Sequence, residues 1–484
     1  MNRLKYILFL LFMVGSLALA SAQERPNILF ILTDDLGYHD LSITGSEIYQ
    51  TPNIDDIAEE GISFKKAYVN YPRCVPSRYA YMTGLYPVNE DKGNLKVNIP
   101  EERNFIKIFN EAGYNTSYVG KWHLGELPSN KGEGNDPKGF GFKHSYGAGG
   151  AGGVDTRFYP FNIKSKKKNS RKDPVPNVEE DGREGDYLSD MLTNATMGFI
   201  KENAEKDQPF LAMLAFYAVH TPLEAKVEDR DRNKKEIDAY DYGDTPEYIK
   251  EGEGRRKMRQ DDPDYAGMVE NVDENVGRLL ELLEELDIDD NTIIVFTSDH
   301  GGLSNDGYKR ERHLATTNNP LRAGKGHLYE GGIRVPLFIK WEDRTEERVE
   351  DKSVVMAMDV YPTLIDMVLD RKVSGTDGKS FKPVIEEKET WEDRIVFWHN
   401  RKARPHSTGD SKSSAVRSGD YKLIHFFEKD KVELYNLRED ISEENNLAEK
   451  EPEKTKELME LLEAWKEKQL VEENLRRRWQ KEDK

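Results

Sequence analysis

Cys74 is the sole thiol of a 484-residue chain and stands in the run Cys74-Val75-Pro76-Ser77-Arg78. A chain with one cysteine forms no internal disulfide, so a chemical role for this thiol moves ahead of a structural one. Two acidic blocks lie far apart in the chain, Thr33-Asp34-Asp35-Leu36-Gly37 and Ser298-Asp299-His300-Gly301-Gly302. Carboxylate oxygens are hard donors that suit Ca²⁺ or Mg²⁺ better than a soft metal. A thiolate zinc site is excluded by composition, a histidine–carboxylate one is not. One Asp-Asp pair alone reads more readily as a turn or helix cap; the second block shifts the balance to a cation. Basic groups punctuate the same chain: Lys121 and His123 in Gly120-Lys121-Trp122-His123-Leu124-Gly125, His220 before Thr221-Pro222, and Lys325 in Gly324-Lys325-Gly326. A cation with lysines and histidines is the equipment for neutralising an anionic substrate and moving protons.

Four apolar runs must position these groups. Ile28 to Leu32 and Ile293 to Phe296 are continuous apolar stretches, as expected of strands buried on both faces of a parallel sheet. Phe210 to Val219 runs into His220, and Thr116 to Val119 runs into the Lys121 block. Met268, Val269, Val272, Val276, Leu279, Leu280 and Leu283 recur on one face of a helix ahead of the 293 run. Alternating strands and helices predict an α/β domain with a large, mainly parallel sheet flanked by helices. In such sheets ligands sit at the carboxyl ends of the strands, where all four runs carry Asp, His or Lys.

The same blocks, with Thr83-Gly84 and Glu330-Gly331-Gly332-Ile333-Arg334-Val335-Pro336, resemble the type I, formylglycine-dependent sulfatases of the alkaline phosphatase-like superfamily. The resemblance runs from Arg25 to about Pro383. It implies that Cys74 is oxidised by a formylglycine-generating maturation enzyme to an aldehyde whose hydrate is the nucleophile. It implies one Ca²⁺ held by Asp34, Asp35, Asp299, His300 and the modified Cys74. Relatives often have Asn in place of His300. Arg78 is implied to orient the diol, Lys121 and Lys325 to bind sulfate oxygens, His220 or Lys325 to protonate the leaving alcohol, and His123 to take the proton that expels sulfate. A phosphomonoester or phosphodiester hydrolase on the same scaffold is the competing enzyme. A silent glycan-binding protein with an unmodified thiol is the competing non-enzyme.

The first residues read as a secretory signal, basic at Arg3 and Lys5, apolar from Tyr6 to Ala20, with a small-residue cleavage site ending at Ala22. Its removal takes the formal charge from −19 to −21. The reading is therefore 1–22 signal, 23–372 catalytic α/β domain and 373–484 a C-terminal α+β subdomain, exported to the periplasm or secreted, without a membrane anchor. So acidic a surface repels nucleic acid, and a sulfated substrate has to be drawn in by local cations. A sulfated oligo- or polysaccharide is the expected partner, algal ulvan or galactan first, host glycosaminoglycan second. Arg310, Arg312, His313, Arg322, Arg401, Arg404 and His406 are the candidates to recognise the sugar. Gly147 to Gly152 satisfies a GxGxxG pattern without a strand before it or a helix after it, and reads as a loop bordering the site. Lys164 to Lys172 reads as a solvated basic loop, and Glu224 to Asp264 as a charged insertion with no core of its own. Short strand-like pieces at 394–398, 414–417, 421–427 and 432–436 predict a small antiparallel sheet turning at Gly419-Asp420. Leu458, Leu461, Leu462 and Trp465 predict a terminal helix packed on that sheet.

Overall fold

The computed structural model describes residues 25–87, 104–124, 136–150, 152–161, 175–342 and 344–482, the last with side chains through 469. The signal segment and the basic run 164–172 lie outside the described residues. An eight-stranded sheet runs in the spatial order Arg348–Glu350, Ile62–Phe64, Leu337–Lys340, Thr292–Ser298, Asn27–Thr33, Phe210–Ala215, Asn115–Gly120 and His144–Tyr146. All neighbours pair in parallel except Leu337–Lys340, which is antiparallel to both strands beside it. The four apolar runs of the sequence are the four adjacent central strands, in register from Asn27↔Thr292 through Thr33↔Ser298.

Both faces of the sheet are covered, which is why these strands read as unbroken apolar runs. Ile28, Phe30 and Leu32 point into one core and Leu29 and Ile31 into the other. The second core is closed by the helix Pro263–Glu285, whose Met268, Val269, Val272, Val276, Leu279, Leu282 and Leu283 are buried. The strand expected over 210–219 stops at Ala215. Phe216 and Val219 then hydrogen-bond to Leu32 O and Asp34 O, so the chain leaves the sheet while still tied to the next strand.

The charged stretch 224–264 forms the helix Val227–Ala239 and a hairpin, Tyr248–Glu251 with Gly254–Lys257, that pairs with Asn305–Asp306. Ala225 and Ile237 enter the main core, so this stretch borrows a core where it lacks its own. At the C-terminus Val396–Asn400, Ser413–Ser418, Tyr421–Phe426 and Lys431–Asn436 form an antiparallel sheet. The turn at Gly419 is left-handed, φ +57°. Leu458 and Leu462 of the helix Pro452–Glu482 pack on Val416, Leu423 and Leu434, and Trp465 stacks on Phe397 with 4.8 Å between ring centroids. The opposite face of this sheet, Trp398 and Ile424 included, is continuous with the first core.

Candidate active site

The central strands deliver their polar endings to one edge, and main-chain hydrogen bonds carry the strand order into the loops. Asp299 N donates to Thr33 O at 3.0 Å, Asp34 N to Ala218 O at 2.9 Å and Lys121 N to Ala215 O at 2.7 Å. Gly120 turns the Asn115–Gly120 strand towards the site at φ +96°. A Cβ there would lie 2.0 Å from Ala215 O, so no other residue fits. Asp35 and His123 adopt left-handed backbone at φ +66° and +53°, strain of the kind that gathers at functional sites.

Cys74 opens the helix Cys74–Thr83, placing its Sγ at the helix's positive end. The thiol is 6 % exposed. His300 Nε2 lies 3.2 Å from Sγ and Lys325 Nζ 3.7 Å away. Burial raises the thiol's pKa, but Lys121, Lys325, His300 and a hydrogen bond from His123 outweigh it and hold the group well below its ordinary value. Position 74 is thus surrounded by groups that favour an anion.

Arg78, four residues on and one helical turn away, is fully buried. Its Nε binds Asp299 Oδ2 at 2.8 Å and its Nη1 binds Lys121 O at 2.6 Å. Lys121 Nζ pairs with Asp34 Oδ2, and Lys325 Nζ reaches both oxygens of Asp35 at 2.6 and 2.8 Å. Burial opposes charge on His300, yet Asp299, Cys74 and Asp35 hold its pKa up near 9. For Asp299, burial and then Asp34 push the pKa up to about 7. His220 is lowered to about 4 by burial and by Lys325. Its Nδ1 faces Thr221 O at 2.7 Å, leaving Nε2 3.9 Å from Asp35 Oδ2.

Asp34, Asp35, Cys74 and His300 each offer one ligand atom, and these atoms lie within 4.8 Å of one another. Asp34 Oδ1 is buried with no hydrogen-bond partner, a free lone pair within the cluster. Two carboxylates, one of them with an orphaned oxygen, and an imidazole fit a divalent cation. Asp299 borders this group without joining it: its Oδ1 lies 3.3 Å from Asp35 N and 3.4 Å from His300 Nε2.

The glycine-rich segment borders the site, as its sequence suggested. Gly149 O accepts from His123 N, a Cβ at Gly152 would meet the His123 ring at 2.6 Å, and Gly153 lies against His220. Of the sugar-recognition candidates, Arg310, Arg404 and His406 are exposed and Arg312 and Arg401 half-buried. The loop carrying Arg310 docks on the loop carrying Arg404 and His406: Gly307 N donates to Ser407 O at 2.9 Å and Tyr308 N to Pro405 O at 3.3 Å. His313 is engaged by Asp262 at 2.6 Å. Arg322 directs its donors to Glu251, Tyr435 and Glu443 O and stacks on Tyr329.

Sequence reasoning missed several residues. Arg73, directly before Cys74, reaches both oxygens of Asp410 at 2.7 and 2.8 Å and thereby ties the C-terminal sheet to the thiol. Its position beside Cys74 was the one available signal. Asp410, Arg157 and the exposed Tyr308 carried none.

The sulfatase family model matches residues 26–370, well over half the chain. The chain belongs to the sulfatase family. It is accordingly a sulfatase-type hydrolase. A second model, described as N-sulphoglucosamine sulphohydrolase, C-terminal, matches residues 323–471 of this sulfatase. A "Sulfatase" of Formosa agariphila is 29% identical, covering 89% of this chain and 86% of the relative. The N-acetylglucosamine-6-O-sulfatase of Bacteroides thetaiotaomicron is 28% identical over 94% of this chain and 90% of its own. The crystal structure of Ps i-CgsB in complex with k-i-k-neocarrahexaose is similar at a TM-score of 0.71 and 30% identity, covering 91% of this sulfatase and 92% of that chain.

Proposed function

We propose that this sulfatase hydrolyses a sulfate ester on a saccharide, with Cys74 as its nucleophile after oxidation to formylglycine. The observation that carries the reading is the placement of Cys74 Sγ at a helix N-terminus beside His300 and Lys325, within a buried cluster of metal-donor atoms. Formylglycine would supply a hydrated aldehyde with two hydroxyls, one to attack sulfur and one to release it. A Ca²⁺ held by Asp34, Asp35, His300 and residue 74, with Asp299 alongside, would supply positive charge to the sulfate oxygens. Lys121 and Lys325 add ammonium groups where negative charge redistributes. Arg78 holds Asp299 and the Lys121 carbonyl, fixing the frame around residue 74. His123, whose Nδ1 is buried without a partner, takes a proton from residue 74, and Lys325, or His220 in its protonated form, gives one to the departing alcohol.

For the saccharide, support leans to an amino-sugar sulfate of the glycosaminoglycan kind over the ulvan or galactan expected from the sequence. The C-terminal model is that of an N-sulphoglucosamine sulphohydrolase, and a Bacteroides relative is an N-acetylglucosamine-6-O-sulfatase. A second reading rests on Ps i-CgsB, whose complex holds a different oligosaccharide, k-i-k-neocarrahexaose. Arg310, Arg312, Arg401, Arg404, His406 and the exposed ring of Tyr308 are proposed to meet the sugar chain beyond the scissile group. Export to the periplasm and maturation by a formylglycine-generating enzyme are part of the same proposal. No helix among the described residues is long and apolar enough to cross a membrane.

Sulfate release from N-acetylglucosamine 6-sulfate, N-acetylgalactosamine 6-sulfate and sulfated galactan oligosaccharides tests the reading, with aryl phosphate as competitor. Turnover of an amino-sugar sulfate is expected; a clear preference for the phosphate ester overturns the reading.

A further inference from the structure

Arg157 lies between the glycine-rich segment and the helix Leu188–Ala204, and only 1 % of it is exposed. Its main chain is held on both sides: its N donates to Glu224 Oε2 at 2.8 Å and its O accepts from Leu188 N at 2.9 Å. Thr156 binds the same Glu224 oxygen at 2.7 Å. The guanidinium is therefore delivered from a fixed backbone, and it goes to carbonyls rather than to an acid. Nε donates to Pro222 O at 3.2 Å and Nη2 to His220 O.

Among the described residues no carboxylate forms an ion pair with Arg157, and its Nη1 is buried without a hydrogen-bond partner. Buried guanidinium groups are ordinarily paired, because an uncompensated charge in the interior is costly. Burial lowers the Arg157 pKa, while Tyr187, Asp34, Glu224 and Asp35 act from further off to raise it. A cation kept at that cost, on the two carbonyls flanking Thr221, marks the His220-to-Pro222 turn as something the fold has to hold still. Nothing else described grips those two carbonyls from outside the turn.

We infer that Arg157 is a positioning residue that clamps the His220–Pro222 turn, so that the His220 imidazole presents Nε2 to the reaction centre. The consequence for His220 rests on its role in the reading above; the clamp itself does not. With Nδ1 facing Thr221 O, the ring's direction follows its own turn, and a turn free to shift would carry Nε2 away from its place 3.9 Å from Asp35.

The test uses the full-length, matured, Ca²⁺-loaded enzyme with N-acetylglucosamine 6-sulfate, whose departing alkoxide needs a proton. Arg157→Gln is expected to lower kcat about 10- to 100-fold, with KM changed less than about threefold. Arg157→Lys, which keeps a donor and the charge, should recover part of that loss. In a His220→Ala background the same Arg157→Gln change should cost less than about twofold, since a residue acting through His220 has nothing left to position. Equal fold losses in the two backgrounds overturn the inference. Hydrogen exchange supplies a readout that needs no turnover. Peptides covering residues 216–224 should exchange faster in Arg157→Gln than in the parent, with the sheet strands unchanged. Unaltered protection of that segment, or loosening spread over the whole molecule, also overturns it. A parent enzyme inactive on every sulfate ester would refute the functional reading instead and leave the exchange result to judge the clamp.

Discussion

Cys74 is useful because its neighbours favour an anion there, and because the backbone that carries it begins a helix. Lys121, Lys325 and His300 supply positive charge from three other segments of the chain. Cys74→Ala keeps the cavity and removes the reacting group. Turnover of an aryl sulfate is expected to fall by about 10³-fold or more, with the unfolding midpoint nearly unchanged. Mass spectrometry of the peptide spanning Cys74 to Arg78 gives the companion check: preparations that retain an ordinary thiol there should be inactive in proportion. Activity that persists with an unmodified thiol would remove the formylglycine reading.

At the scale of elements, two joints decide whether the site assembles. The first is the end of the Asn115–Gly120 strand, where the backbone passes so close to Ala215 O that a side chain cannot fit. Gly120→Ala should cost about 1–3 kcal/mol from the positive φ and the collision, read by urea denaturation. It should also displace Lys121 enough to depress kcat at least about tenfold.

The second joint clips the C-terminal sheet to the loop that follows Lys325. Lys422 of the Tyr421–Phe426 strand is buried between Glu330, at 3.0 Å, and Glu443, at 2.9 Å. One ammonium serves two carboxylates. Burial opposes the charge on both, but Lys422, Arg417 and Arg334 hold the pKa of Glu330 down. Glu443 is left with burial, only partly offset by Lys422, and is raised from 4.5 to about 7. The folded state therefore binds the more protons between those values. Stability from Glu443 is full below about pH 4.5 and is lost as pH rises through 7. The contribution of Glu330 has the opposite sense, present above about pH 4.5 and lost as pH falls below it. Between pH 5 and 8 the parent protein should lose about 1–3 kcal/mol through Glu443. Glu443→Gln, which imitates the protonated acid, should flatten that slope; denaturation at the two pH values decides.

Over the whole molecule, a formal charge of −19 would repel a sulfated substrate, so attraction has to be local and short-ranged. The bound cation is proposed to supply much of it. Dialysis against a chelator should reduce kcat by about 10²-fold or more, and added Ca²⁺ should restore it. The unfolding midpoint should climb with Ca²⁺ concentration, as for any ligand that binds only the native state. A midpoint indifferent to Ca²⁺ would count against the cluster as its site.

Much of this architecture was legible in the chain itself. Buried parallel strands announce themselves because both faces must be apolar, and their endings stand out because Asp, His and Lys interrupt that run. Hence the four central strands, the terminal helix and the polar groups that follow those strands, from Asp34 to Asp299, could be named from spacing, and Lys325 from the family resemblance. Side-chain pairing left no such trace. Nothing near Asp410 foretells Arg73, nothing near Lys422 foretells two glutamates, and Arg157 lies in an unremarkable stretch of sequence. Arg322 and His313 have the residue types of substrate contacts, yet the fold turns them to Glu251 and Asp262. The sequence by itself determined which groups could do chemistry and on which strand ends they stand, because local periodicity and burial are written residue by residue. Only the tertiary structure decided which of those groups meet, since contacts between segments hundreds of residues apart depend on strand order and on a chain closing upon itself.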